Sequence, residues 1–179
     1  MLKRMLRRYS REDYLDCVAR LRRAIPGVSL TTDVIVGFPG ETEADFEDTL
    51  SAMREVRFAD AFTFKFSLRE GTPAERMPAE WTVPDEVAGD RLKRLVEVVR
   101  SIAREDNLTR LGQRAEVLVE KFARKGELLQ ARTRDFRTVL IHGGEDLIGS
   151  YLTVELTGTT GSAFTGQIAR ERRPLAVLA

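Results

Sequence analysis

The chain has 179 residues, of which 42% are hydrophobic and 32% are charged, and its formal net charge is +1. These values are typical of a globular protein with one ordinary domain, or part of one with a small second module, and they argue against strong nonspecific binding of polyanions by the whole molecule. With neither an apolar run long enough to span a bilayer nor a signal-peptide pattern, the sequence predicts a cytoplasmic protein that makes no membrane contact.

The single cysteine limits the redox and metal chemistry of the chain. Cys17 excludes an internal disulfide, and the sequence contains no Cys/His cluster with metal-ligand spacing. Because Cys17 lies in a helical pattern beside Val18, we predict that it is buried as a small apolar residue. The only histidine, His142, precedes two glycines in a predicted turn and has no plausible nucleophile to activate. We therefore predict no catalytic residue and no metal ligand in this chain.

A basic segment precedes the first predicted helix. Residues 1–11 carry five lysines and arginines, which either contact phosphate or are simply solvated. Ser10 is a candidate helix cap, and Pro26-Gly27 ends the pattern. Between them the apolar residues recur at helical spacing, at Tyr14, Val18, Leu21 and Ile25.

The stretch 29–46 predicts a strand, a tight turn and a helix in direct succession. Three consecutive β-branched residues, 34–36, predict a parallel strand that is covered on both faces. The GFPG sequence at 37–40 predicts a turn of fixed shape, because its glycines permit sharp reversal and its proline cannot extend the strand. Thr42 and Asp45 form a capping-box variant that starts a helix. The apolar residues of this helix are Phe46, Leu50, Met53 and Val56.

This turn is the first candidate binding site. Ligands of parallel α/β proteins bind at the carboxyl ends of the strands, where the turn falls. The alternative is that the Gly-Pro-Gly sequence only reverses the chain. The glycine spacing matches neither the dinucleotide fingerprint nor the phosphate loop, so both of those sites are excluded.

The next two predicted elements are a strand and a long helix. Phenylalanine recurs at every second position and predicts a strand at 60–67. The strand and the residues after it carry Lys65 and Arg69 toward the rim of the turn. The alternative is that both are solvated rim charges. Pro84 opens a helix with one apolar face, and Gly112 ends it and marks a domain boundary. The apolar residues are Leu92, Leu95, Val99 and Ile102.

From residue 114 onward the hydrophobic period becomes alternating, and five short strand candidates follow. This pattern predicts a small closed barrel of the oligonucleotide-binding type. The candidate RNA-binding residues supply cations for phosphate and one aromatic ring for base stacking, and they are Lys121, Arg132, Thr133, Arg134 and Phe136. A purely structural barrel is the alternative, because nearby carboxylates nearly balance the charge, namely Glu116, Glu120, Glu127 and Asp135.

Four of these stretches resemble one family, the radical S-adenosylmethionine methylthiotransferases. The resemblance lies in residues 2–15, 31–50 and 60–78, and the region 132–158 resembles the TRAM RNA-binding domain of the same family. The resemblance implies an α/β fold in three parts. These are the carboxyl-terminal part of a partial TIM barrel at 1–111, a small all-β, OB-like TRAM barrel at 112–171 and a tail at 172–179. It also implies that the strand around Val34 has an unpaired edge, because the preceding strands of the barrel are not in this sequence.

The resemblance is strongest to the tRNA branch, through the AFTFKFSLREGTPA sequence at 61–74. That branch converts N6-isopentenyladenosine next to the anticodon into its 2-methylthio derivative. The resemblance implies two partners, S-adenosylmethionine and a tRNA anticodon stem-loop. It also implies that the whole enzyme is a monomer. The resemblance also implies that Gly37, Phe38, Pro39 and Gly40 help to bind S-adenosylmethionine by backbone and apolar contacts.

One family motif is missing. The CxxxCxxC sequence that holds the [4Fe–4S] cluster is absent, and one cysteine cannot replace it. We therefore expect the cluster ligands to lie outside this chain and the chain alone to be inactive. Two alternatives stay open, the branch of the family that modifies ribosomal protein S12 and a non-enzymatic RNA-binding protein that uses the TRAM barrel alone.

Overall fold

A computed structural model describes residues 1–124 and 126–169. It consists of an α/β part followed by a closed five-stranded β-barrel, which confirms the predicted fold class. Two compact units divide the chain, 1–103 and 104–179. The division falls inside the long third helix, and the boundary after residue 111 stays a prediction. The tail at 172–179 lies outside the described residues.

Three helices form where the sequence predicts them. They are α1 (Arg11–Ala24), α2 (Glu43–Val56) and α3 (Asp85–Leu108). Ser10 and Thr42 each cap their helix by a capping box. The hydroxyl of each accepts a hydrogen bond from the amide of the aspartate three residues later, Asp13 or Asp45, and the carboxylate of that aspartate accepts one from the amide of the capping residue. α3 ends four residues before the predicted glycine, since Thr109 to Gly112 form a turn in which Gly112 has φ +79°. In the part of the chain that the structure describes, no helix is long and apolar enough to cross a membrane.

Cys17 is exposed, so the prediction that it is buried is wrong. The buried side of α1 is centred on Val18, with Tyr14 and Leu15 packed against the same core. Cys17 immediately precedes Val18, and one residue turns the helix by about 100°, which takes the thiol off the buried face.

Two parallel strands form the sheet of the first unit. They are β1 (Thr31–Val36) and β2 (Asp60–Lys65), paired so that Asp33 lies opposite Phe62 and Ile35 opposite Phe64. One face of β1 packs on the helices, and Val36 on this face is fully buried. All three helices contribute to the same apolar core, which includes Val18, Phe46, Leu50, Leu95 and Ile102.

The other face of this sheet is open, which corrects the prediction that β1 is covered on both faces. Ile35 is 41% exposed, Phe62 65% and Phe64 49%. Among the described residues β1 pairs only with β2, which leaves its other edge without a partner strand there. The β-branched residues predict a strand correctly, but the layer that would cover this face is not part of the described chain.

A long connection follows β2 and leads to α3. It contains two short 3₁₀ turns, at Pro73–Arg76 and Ala79–Trp81. Trp81, the only tryptophan of the chain, lies beside the Gly37–Gly40 turn, because its carbonyl accepts from the Gly40 amide at 2.7 Å.

All five predicted strands of the second unit are present. They are β3 (Arg114–Phe122), β4 (Leu129–Thr133), β5 (Thr138–Ile141), β6 (Tyr151–Thr159) and β7 (Phe164–Ile168). The order β3-β4-β5-β7-β6 closes on itself, with β5 and β7 parallel, as expected for an OB-like barrel. Each strand therefore has partners on both sides, and the interior is filled by apolar residues such as Val119, Leu129, Val139, Val154 and Phe164.

Candidate functional site

The Gly37–Gly40 turn has a backbone that only glycine fits at both ends. Gly37 and Gly40 each have φ +75°. A Cβ at Gly37 would lie 2.7 Å from the Cβ of Ala88, and one at Gly40 would lie 2.8 Å from Nη1 of Arg4. The turn is therefore in close contact with α3 and with the amino-terminal segment.

The polar backbone groups of the turn are largely used within the chain. The Gly37 amide donates to Oε2 of Glu41 at 2.7 Å, and the Gly40 amide donates to the Trp81 carbonyl. Nη1 of Arg4 donates to the Gly40 carbonyl at 2.5 Å, and its guanidinium lies 5.0 Å from the Trp81 ring centroid. The two glycine amides are thus not free for a ligand, and the turn offers shape and apolar surface instead.

A buried ion pair fixes the turn to α3. Nη1 of Arg91 lies 2.8 Å from Oε2 of Glu41, and the two side chains are only 6% and 4% exposed. The same nitrogen donates to the Glu41 carbonyl at 3.1 Å, while Nε of Arg91 lies 3.2 Å from Glu43. Sequence reasoning missed both residues, because each belongs to a polar pattern that is usually solvated and they are 50 positions apart.

A pocket of about 450 Å³ opens beside the turn. Its lining comes from the carboxyl ends of β1 and β2, from the connection that contains the two 3₁₀ turns and from the start of α3, and includes Gly37, Pro39, Lys65, Phe66, Asp85 and Ala88. This volume is within the range of small-molecule sites. Nζ of Lys65 lies 2.6 Å from Oδ1 of Asp85 and places a charged pair at the wall.

Not every residue of the predicted site reaches this pocket wall. Gly37 and Pro39 line it, whereas Phe38 is buried with its ring 5.0 Å from that of Phe66 in an edge-on contact. Phe38 therefore supports the pocket from behind through Phe66. Arg69, expected at the same rim, is exposed but does not line the pocket.

On the barrel, Arg132 is held by a two-point ion pair. Its Nε lies 2.7 Å from Oε1 of Glu120 and its Nη2 lies 3.1 Å from Oε2. The hydrogen bonds from Arg132 lower the pKa of Glu120 and keep it ionised. Nη1 of Arg132 also donates to the Phe136 carbonyl at 3.2 Å. Glu120 is thus one of the nearby carboxylates that balance the charge of the candidate RNA-binding residues.

The remaining predicted RNA-binding residues have different environments. Arg134 is 85% exposed and pairs with Glu116 at 2.7 Å, and Lys121 is exposed on β3. Phe136 is 78% exposed at the tip of the β4–β5 hairpin, where its φ is +64°. Thr133 is buried at an inward-facing position of β4, and its hydroxyl donates to Asp135 at 2.6 Å. Their role in RNA binding stays a prediction.

A neighbouring basic residue is structural. Arg137 has a side chain only 10% exposed, and its Nη1 donates to Asn107 at 2.6 Å while its Nη2 lies 3.2 Å from Asp106. Asn107 in turn donates to the Gly161 carbonyl at 3.0 Å, which joins the last turn of α3 to the barrel. Burial raises the pKa of Asp135, but hydrogen bonds from Thr133 and Arg110 outweigh it and lower the pKa overall.

Within residues 1–124 and 126–169, no group of three or more His, Cys, Asp or Glu is placed to hold a metal ion. The donor set therefore does not fit an iron-sulfur cluster. By contrast, the pocket beside the turn has the size and the mixed apolar and charged lining that a ligand such as S-adenosylmethionine requires.

Comparisons with known proteins identify relatives over most of the chain. The model of the Radical SAM superfamily matches residues 1–53. The tRNA-2-methylthio-N(6)-dimethylallyladenosine synthase of Clostridium botulinum is 45% identical over 168 residues, which are 93% of this chain and 37% of the relative. The enzyme of the same name from Moorella thermoacetica is 49% identical over 158 residues, which are 88% of this chain and 35% of the relative. The chain thus spans little more than a third of these relatives, and its resemblance to the methylthiotransferases is confirmed.

Proposed function

We propose that this chain, a homologue of the radical S-adenosylmethionine methylthiotransferases, forms part of an enzyme that modifies tRNA. The reaction is the addition of a methylthio group to C2 of N6-isopentenyladenosine next to the anticodon. The observation that carries the proposal is the 45% identity, over 93% of the chain, to a tRNA-2-methylthio-N(6)-dimethylallyladenosine synthase. A tRNA substrate also supports a cytoplasmic location.

In this proposal the first unit contributes to the cofactor site. The pocket beside the turn would hold S-adenosylmethionine against Gly37 and Pro39, while Phe38 supports Phe66 behind the wall. Because the amides of Gly37 and Gly40 are already bonded within the chain, the turn recognises the cofactor by its shape and apolar surface. Lys65 and Asp85, which pair with each other at the wall, would exchange that contact for the carboxylate and the ammonium of the methionine end.

The cluster chemistry belongs to residues outside this chain. When bound to a methylthiotransferase, a [4Fe–4S] cluster supplies the electron that cleaves S-adenosylmethionine. The single cysteine, Cys17, cannot supply the thiolates such a cluster needs. We expect the chain alone, after anaerobic reconstitution, to bind no stoichiometric iron and sulfide and to form no 5′-deoxyadenosine. Stoichiometric cluster with cofactor cleavage would contradict this.

Nucleoside analysis of tRNA tests the proposed reaction. In the source organism with this gene disrupted, mass spectrometry of digested tRNA should show loss of the 2-methylthio derivative and accumulation of N6-isopentenyladenosine. Ribosomal protein S12 from the same strain should keep its modification state. Loss of the modification on S12 with normal tRNA would assign the chain to the branch that modifies S12. No change in either the tRNA or S12 would favour a non-enzymatic RNA-binding protein.

The second unit is proposed to bind the anticodon stem-loop. Replacement of Arg132 and Arg134 together by alanine should weaken binding for all sequences alike, because phosphate contacts carry no base information. Each lost contact should reduce the log–log salt slope by about one unit, or about 0.7 on single-stranded phosphates. The matched control replaces Arg20 and Arg23, two exposed arginines of the first unit.

A salt titration of the full chain against the stem-loop measures both quantities. The exposed Arg134–Glu116 pair contributes only about 0–1 kcal/mol to folding. If the two barrel arginines serve only their pairs with Glu120 and Glu116, affinity and slope should stay at the wild-type values, because neither arginine would then contact RNA. That result would remove both arginines from the proposed site.

A further inference from the structure

An exposed tyrosine on the barrel has no role in the site described so far. Tyr151 begins β6, and its side chain is 68% exposed. Among the described residues its ring makes no contact with another ring and no hydrogen bond. A large aromatic ring with little burial contributes little to the core.

Strand register places this tyrosine in one row with Arg132. Leu118 of β3 lies opposite Tyr151 on one side and opposite Arg132 on the other. Val117 and Val119 are buried in the barrel, so Leu118 and both of its partners point to the outer face. Adjacent strands are about 4.8 Å apart, so Tyr151 and Arg132 lie about 10 Å apart on either side of Leu118.

The row continues into the hairpin that presents Phe136. Arg132 donates to the Phe136 carbonyl, and that ring is 78% exposed. The barrel surface thus carries two exposed aromatic rings, and the strand and hairpin between them carry the half-buried Leu118 and the guanidinium of Arg132, which is paired with Glu120. Cations interleaved with exposed aromatic rings are the pattern by which proteins bind single-stranded nucleic acid.

We propose that Tyr151 is a base-stacking residue and that Leu118 forms the apolar floor between it and Arg132. The ligand is an unpaired base of a single-stranded RNA loop, adjacent to a second base on Phe136. This inference rests on the proposed RNA binding by the barrel and adds a recognition residue to it. The tyrosine hydroxyl has no part in stacking, so the ring alone carries the interaction.

The test is binding of the full chain to an anticodon stem-loop that carries 2-aminopurine in its loop. Threonine is the chosen replacement at position 151, because a β-branched residue preserves the strand. Tyr151→Thr should weaken binding by about 5- to 150-fold, the range that 1–3 kcal/mol of stacking gives at 1.4 kcal/mol per tenfold. Tyr151→Phe should stay within about twofold of wild type.

Two readouts separate stacking from a structural role. The salt slope of Tyr151→Thr should equal that of wild type, because no phosphate contact is lost, and the quenching of 2-aminopurine should decrease. The melting temperature should be unchanged. The matched control is Phe62→Thr, which removes a 65% exposed aromatic ring from a strand of the first unit by the same replacement and should leave binding unchanged.

Wild-type binding with an unaffected Tyr151→Thr variant would overturn the stacking role while leaving the proposed function intact. Equal losses in Tyr151→Thr and Tyr151→Phe would also overturn it, since the ring is kept in the second variant. Absence of RNA binding by the wild-type chain would instead overturn RNA binding by the barrel and the stacking role together.

Discussion

At the scale of single residues, buried and half-buried charges hold both candidate sites together. Glu41 and Arg91 hold the turn of the first unit, and Asp135, which accepts hydrogen bonds from Thr133 and Arg110, holds the hairpin of the second. A buried charge whose partner is removed is costly, because water cannot reach it to replace the partner. Substitutions at these positions should therefore have larger effects than substitutions of exposed ion pairs.

Arg91→Leu should destabilise the first unit by about 3–5 kcal/mol, because it leaves the Glu41 carboxylate buried without its partner. Urea unfolding followed by fluorescence of Trp81 measures this loss. The double variant Glu41→Leu/Arg91→Leu should be less destabilised than Arg91→Leu, since no buried charge remains. Arg94→Leu on the same helix, with a side chain 36% exposed, should cost at most about 1 kcal/mol. Equal urea midpoints for Arg91→Leu and wild type would contradict the prediction.

Asp135 should make the stability of the barrel depend on acid pH. Its pKa is lowered in the folded chain, so its contribution is complete above the unfolded value of about 3.9 and is lost as pH falls through the lower folded value. Asp135→Asn should therefore cost about 1.5–3 kcal/mol at pH 7, by loss of charged hydrogen bonds, and much less at pH 2.

Urea midpoints from far-UV circular dichroism at the two pH values test this difference. Glu155→Gln, an exposed change on the same barrel, should stay within about 0.5 kcal/mol of wild type at pH 7. A cost of Asp135→Asn that is the same at both pH values would contradict the proposed ionic role.

At the scale of elements, the two sheets differ in how their edges and faces are covered. Each barrel strand is paired on both sides, whereas β1 and β2 pair only with each other among the described residues. The face that carries Ile35, Phe62 and Phe64 is open. Unpaired edges and exposed apolar faces favour association with other chains.

Phe62→Thr/Phe64→Thr should reduce self-association with little change in the free energy of unfolding, because both rings are largely exposed. Light scattering and binding of a hydrophobic dye measure the effect. Phe58→Thr is the contrasting variant, since Phe58 is 5% exposed and its truncation should cost about 3 kcal/mol. A monomeric wild-type chain that binds no dye would argue against an associating face.

At the scale of the whole molecule, two compact units of different construction share one chain. Limited proteolysis should leave a resistant piece that begins between residues 104 and 112, because the closed barrel has no unpaired strand edge. The first unit, with its open sheet, should be cut earlier, and the fragments can be identified by mass spectrometry. Equal protection of both units would show that the open sheet does not weaken the first.

The sequence by itself determined the local elements and the resemblance to the methylthiotransferases. Capping boxes at Ser10 and Thr42, the glycine-pinned turn at 37–40 and the alternating strands after residue 114 depend on backbone sterics and short-range hydrogen bonds, which neighbouring residues dictate. For the same reason the sequence identified the turn as a candidate site, since its glycines and the strand before it are contiguous.

Only the tertiary structure decided which distant groups meet. Glu41 and Arg91 are 50 positions apart, and no local pattern indicates that they are buried together. Arg132 pairs with Glu120 because β3 and β4 are adjacent with a bulge, and the row from Tyr151 to Arg132 exists only through strand register. The exposure of Cys17 and of the β1–β2 face likewise depends on which elements pack nearby, since burial is a property of neighbours in space.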